Sequence, residues 1–115
     1  MTLTEFYART GGSCQSVLQR IPSEQMLLRF VKMYASDPSY GQLLSAAEQQ
    51  DWPTAFRAVH TLKGVAQDLG FERLGRAASD LTEALRGGKV LTDPALLEAV
   101  KTEQLQLMAA LNELG

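Results

Sequence analysis

Two amphipathic stripes with helical spacing, separated by one glycine, constrain this chain more than any other feature. Ala55, Val59, Leu62, Ala66 and Leu69 recur on one face of the first segment. Leu74, Ala77, Ala78, Leu81 and Leu85 do the same in the second. Gly70 lies between them, where a left-handed residue just past a helix end is expected. So short a link lets the two helices bury their apolar faces against each other as an antiparallel hairpin. Asp51-Trp52-Pro53 starts the first helix, and Gly87-Gly88 terminates the second.

The remaining segments are punctuated in the same way. Thr2 or Thr4 caps a short helix containing Leu3, Phe6 and Tyr7, which stops at Gly11-Gly12. Ser13 opens another short helix carrying Val17 and Leu18, closed by Pro22. Ser23, with Glu24 in the first turn, starts a segment whose stripe reads Leu27, Phe30, Val31 and Tyr34. Asp37-Pro38 starts the next, with Tyr40, Leu43, Leu44 and Ala47 as its expected buried face. Asp93-Pro94 caps the last helix, whose expected stripe is Leu97, Val100, Leu105, Met108 and Leu111. No alternating, β-branched run reads as a strand. The predicted fold is all-α: an antiparallel four-helix bundle with short additional N-terminal helices, in one domain spanning residues 1–115.

Composition excludes several classes of function. The chain has 11 basic and 13 acidic residues and a net charge of −2, so neither nucleic acid nor an anionic membrane is an expected partner. No apolar stretch approaches membrane-spanning length, and no basic N-terminal segment precedes an apolar run as in a signal peptide. The single cysteine, Cys14, makes no internal disulfide framework and no cysteine metal cluster. A cytoplasmic monomer is the expectation. The initial Met1 and the capped final helix give the further expectation of a complete chain.

His60 is the one histidine, and it falls opposite the apolar stripe of its helix. With His60 at 0° on a wheel of about 100° per residue, Gly64 lies near 40°, Gln67 near −20°, Lys63 near −60°, Arg57 near 60° and Phe56 near −40°. The imidazole therefore points away from the core. A metal site needs more His or Cys ligands than the chain offers, and no nucleophile elbow is present. What is left is attack by a neutral ring nitrogen on an electrophile that a partner brings. Lys63, one turn along, is placed to neutralise a phosphoryl group held on the ring. Gly64 costs a helix interior roughly 1 kcal/mol relative to alanine, which is explicable if a side chain there would block approach to the imidazole. Gln67 is a potential hydrogen-bond donor to the ring or its bound group.

His60-Thr61-Leu62-Lys63-Gly64 followed by Leu69-Gly70 resembles the signature of the histidine-containing phosphotransfer (HPt) domain family. Phe71-Glu72-Arg73-Leu74 and Ser79-Asp80-Leu81-Thr82-Glu83-Ala84-Leu85 are similar to the helix that follows it in bacterial members. Phe6-Tyr7, Asp37-Pro38-Ser39-Tyr40 and Ala55-Phe56-Arg57-Ala58 resemble small free-standing members, so the likeness extends over most of the chain. The resemblance implies a phosphocarrier in a multistep two-component phosphorelay. Its histidine would accept a phosphoryl group from a receiver-domain aspartyl phosphate and pass it to another receiver aspartate. Carried over, His60 is the phosphoacceptor, Lys63 the electrostatic stabiliser and Gly64 the steric clearance. The implied partners are receiver domains of hybrid histidine kinases and of response regulators. The divalent metal belongs to the receiver's acidic pocket, so no cofactor or metal of the chain's own is expected. No autokinase activity is expected either, because Gly11-Gly12 and Gly87-Gly88 are helix-end features and not a nucleotide loop. The family often orients the histidine through a polar group on the neighbouring helix, for which Ser79 and Thr82 are the candidates here.

Each residue also has a plainer reading. An exposed histidine or lysine is commonly just a solvated side chain. Gly64 would equally suit a close helix–helix approach, Gln67 a surface position and Phe56 the core, while Trp52 and Cys14 read as packing residues. Phe56 is expected to offer apolar contact beside His60, and Arg57, Lys63, Arg73 and Arg76 a basic tint for an acidic partner. Two alternatives remain at this point: an HPt-like adaptor that docks receivers without phosphotransfer, and a helical scaffold outside phosphorelays.

Overall fold

The computed structural model describes all 115 residues, and every regular element in it is helical. These are α1 (Leu3–Thr10), α2 (Cys14–Leu18), α3 (Glu24–Met33), α4 (Ser39–Glu48), α5 (Trp52–Leu69), α6 (Glu72–Leu85) and α7 (Pro94–Glu113), with a single 3-10 turn at Tyr34–Ser36 before α4. Most caps are those that the sequence calls for; at α4 Pro38 is itself the N-cap and not the first helical residue, with Asp37 one place outside it. Thr2 and Glu5 form a reciprocal capping box on α1. Ser13, Ser23, Asp51 and Asp93 each accept a backbone N–H in the first turn of the helix they precede. Asp37 accepts from the Ser39 N–H at 2.9 Å and thereby starts α4.

Consecutive helices α4 to α7 form the bundle, with α5 packed between α4 and α6, and α6 between α5 and α7. Gly70, at φ 73°, makes the reversal from α5 to α6, and the Phe71 N–H reaches back to the Ala66 carbonyl at 2.8 Å. A Cβ on Gly70 would lie 2.2 Å from a Val17 methyl, so glycine is required by space as well as by dihedral angle. The hairpin interface is lined with small residues: Ala55, Ala58 and Ala66 on α5, and Gly75, Ala77 and Ala78 on α6 are all buried. Their size lets the two backbones approach closely along most of their length.

At the Gly70 end, Phe6 and Tyr7 of α1 are completely buried against Phe71. The Phe6 and Phe71 ring centroids are 5.9 Å apart, and Tyr34 joins Phe71 at 5.3 Å, both edge-to-face. The Tyr7 hydroxyl donates to the Leu69 carbonyl at 2.6 Å, satisfying one of the open carbonyls at the α5 end. The Tyr34 hydroxyl donates to Gln104 of α7. Burial raises both phenols well above the ordinary value.

Four apolar stripes differ from the sequence expectation in detail. In α3, Leu27 and Val31 are buried with Tyr34 just beyond, whereas Phe30 is exposed. The short helix meets the bundle along a narrow i, i+4, i+7 seam, and Phe30 lies beside it. In α4 the sealed positions are Ser39, Leu43 and Ala46, with Tyr40, Leu44 and Ala47 only partly covered. In α5, Leu69 is half-buried while Ala58 joins the core. In α7, Val100, Leu107, Ala110 and Leu111 are buried and Leu105 is 73% exposed. Leu105 sits about 140° round the helix from Val100, too far to share its face. No helix is long and apolar enough to cross a membrane.

Two outcomes follow from this burial pattern. Phe6→Ala is expected to lower unfolding free energy by about 3–5 kcal/mol, and Leu105→Ala to change it by no more than about 0.5 kcal/mol, as read from denaturant midpoints. Unfolded tyrosines ionise near their ordinary value of 10.0, whereas folded Tyr7 and Tyr34 keep their protons to higher pH. The native state thus binds more protons in that window, and a pH series of thermal unfolding should show stability falling above about pH 10.

Candidate functional site

The site lies on the outer face of α5, where it meets the far end of α6. Asp51 accepts from the Thr54 N–H at 3.2 Å and fixes the start of α5, and its apolar stripe then sets the rotation. Val59 and Leu62, on either side of His60, are fully buried, and His60 is exposed. No protein group hydrogen-bonds either nitrogen of its ring. Lys63 follows one helical turn later and is half-buried, without an ion-pair partner. A Cβ built on Gly64 would meet nothing within 4 Å. That removes helix–helix contact as the reason for a glycine there and leaves open space beside the imidazole.

Phe56 is half-buried, packed on the edge of the core, and its ring centroid is 5.8 Å from that of His60 with 38° between the planes. The antiparallel hairpin brings the last turn of α6 to this point. The Arg86 guanidinium lies over the Phe56 ring, 5.6 Å from its centroid. Glu83 grips Arg86 through two bonds, Nε to Oε2 at 3.0 Å and Nη2 to Oε1 at 2.7 Å. Those hydrogen bonds hold the Glu83 carboxyl below the usual range. Arg86, Lys63 and His60 are close enough to add to the pull. Neither Glu83 nor Arg86 was singled out from the sequence as a site residue. The signal was the i, i+3 spacing of opposite charges at the end of α6, which the hairpin must return to the first half of α5.

Other expected site residues lie elsewhere. Arg57 is exposed, donates to the Thr54 hydroxyl at 3.1 Å and borders a shallow groove with Gln42 and Thr61 on the α4 side. Gln67 shares the outward face but is two turns beyond His60, about 10 Å along the axis, and makes no bond to the ring. It lines a cavity of about 400 Å³ with Arg20, Arg76 and Ser79, between α2, α5 and α6. Thr82 is fully buried and donates to the Ala78 carbonyl at 2.7 Å. Ser79 and Thr82 therefore do not orient the imidazole. Arg73 is drawn away to Glu103 at 3.1 Å and to the Arg9 carbonyl, so it contributes no charge beside His60. No three His, Cys, Asp or Glu side chains cluster in a way that could hold a metal ion.

The arrangement suits a nucleophile that works on a group carried by another molecule: a ring open to solvent, a cation one turn away and clearance beside both. No curated protein and no solved structure matches the chain. The model of the Hpt domain family matches residues 26–114, which takes in most of α3 and all of α4 to α7, His60 included. Domains of this family are phosphocarrier modules that act in histidine phosphotransfer within two-component phosphorelays. On that match, and with a helical bundle to go with it, the chain belongs to the Hpt domain family.

Proposed function

We propose that this chain works as one domain over residues 1–115 and relays phosphoryl groups between receiver domains through His60. The observation that carries the reading is the exposed, unbonded imidazole on the hairpin of an Hpt-family bundle, with Lys63 beside it and free space at Gly64. In the accepting step, the lone pair of a neutral ring nitrogen attacks phosphorus in line with the aspartyl oxygen. The N–P bond forms as the P–O bond breaks, and the electron pair leaves with the receiver carboxylate. The other ring nitrogen keeps its proton, so the phosphoimidazole is born as a cation next to a dianionic phosphoryl group. Donation to a second receiver is the same step in reverse. Such transfer is mostly positioning and charge neutralisation. Lys63 supplies the charge, while Gly64 lets the acidic pocket close on the ring.

Phe56 offers apolar contact beside the nucleophile and Arg57 a positive rim, both suited to an acidic receiver. The receiver contributes the aspartate and its divalent cation, and this chain contributes no cofactor. In this reading the partners are receiver domains of hybrid histidine kinases and response regulators, and the carrier is a cytoplasmic monomer with no autokinase activity.

His60→Gln is expected to keep its stability within about 0.5 kcal/mol. It should lose all acid-labile, base-stable label on incubation with phosphorylated receivers. Label retained by that mutant overturns the assignment, and wild-type protein that binds receivers without acquiring label would make it an adaptor instead. A second pair of outcomes separates folding from function at Gly64. Gly64→Ala should raise stability by about 0.5–1 kcal/mol, because its methyl enters open space in a helix interior. Gly64→Gln should fold equally well yet accept phosphoryl groups at least about tenfold more slowly, since it crowds the approach to phosphorus.

A further inference from the structure

We infer that Glu83, Arg86 and Phe56 form a positioning device that holds the His60 ring in one orientation. This rests on the reading of His60 as phosphoacceptor. An exposed helical side chain with no hydrogen bond has alternative staggered wells open to it, and only some of them point the ring nitrogens at an incoming phosphorus. The ring contact that limits His60 is Phe56, at 5.8 Å and 38°, within the range of interacting aromatic pairs. Phe56 is in turn overlain by Arg86, and Arg86 is held in a two-bond fork by Glu83. The series runs from α6 across to α5 and ends on the nucleophile.

Stability does not explain these contacts. The Glu83 and Arg86 side chains are 59% and 53% exposed, and an exposed pair at this spacing contributes little to folding. What the fork does is fix the guanidinium plane, which a lone exposed arginine would not keep. Tilted by 38° against Phe56, the imidazole is limited on that side and stays open to a visitor on the other. Glu83 also keeps Arg86 occupied, leaving Lys63 as the cation free to meet the transferred group. Phe56, Arg86 and Glu83 are thus positioning residues that act through one another and not on phosphorus.

Because His60 is the sole histidine, its ring signals are unique in an NMR spectrum of the full chain. Wild type, Phe56→Leu, Arg86→Gln and Arg86→Lys are compared for the ring-current displacement of those signals, for χ1 couplings of His60, and for phosphoryl acceptance over a range of receiver concentration. Phe56→Leu should abolish the displacement. Arg86→Gln should reduce it, average the couplings and lower the maximal acceptance rate about two- to sixfold, as freed χ1 and ring-flip states share the population. Half-saturation and thermal midpoint should stay unchanged. Arg86→Lys, which keeps a cation over the ring but lacks the fork, should fall between. Unaltered His60 shifts and couplings in Arg86→Gln overturn the device. A raised half-saturation with unaltered couplings does so too, and makes Arg86 a docking residue. If no receiver labels wild-type His60, the relay reading fails, and the spectra still decide whether the ring is held.

Discussion

The reversal at Gly70 is the constraint on which the rest of this molecule depends. One left-handed residue, crowded by a Val17 methyl, turns α5 directly into α6 and so sets their register from the first turn. Once that register is set, the small residues of both helices are buried together with Val59, Leu62, Leu74 and Leu81. The outward face of α5 is then determined by default. His60 is exposed because Val59 and Leu62 on either side of it have no other place to go. The same register delivers Glu83 and Arg86 to Phe56, although nearly thirty positions of chain separate them.

The imidazole itself is sparsely furnished. No protein group bonds either of its nitrogens, and the choice between neutral tautomers is therefore left to solvent or to a partner. The local fold contributes restraint by ring contact and a neighbouring charge, and it withholds a side chain at Gly64. A helix would be firmer with alanine in that place. A weak spot on an otherwise well-made helix is consistent with a surface that has to be approached closely.

Much of this was legible in the sequence, for identifiable reasons. Helix ends were clear because Ser23, Asp51, Asp93 and Gly70 leave local chemical signals at each terminus. The α6 stripe is legible because nearly all the apolar residues of that helix fall on one face, with only Ala84 left partly covered. In α7 leucines and a methionine are scattered around much of the helix, and identity alone did not show that Leu107 is inside and Leu105 outside. At the site, His60, Lys63, Gly64 and Phe56 come from one helix, where a wheel is enough. The partners from α6 needed register between two helices. Hence polarity alone points to Ser79 and Thr82, whereas Glu83 and Arg86 come into view only with the register. Gln67 faces outward as its wheel angle implies, but a wheel does not show its distance along the axis from His60, and a basic side chain such as Arg73 gives no sign in the sequence of a competing carboxylate like Glu103.

The aromatic plug at the base of the bundle bears on where such a domain begins. Phe6 and Tyr7 precede the segment that the family model recognises, yet both are sealed, and the Tyr7 hydroxyl caps the Leu69 carbonyl of the helix that bears His60. A fragment trimmed to residues 26–114 would turn the Phe71 and Tyr34 rings out to water. The edge of the family match and the edge of the buried core are different boundaries in this protein, and a scaffold built to receive the His60 helix would need the leading segment to cover the same rings.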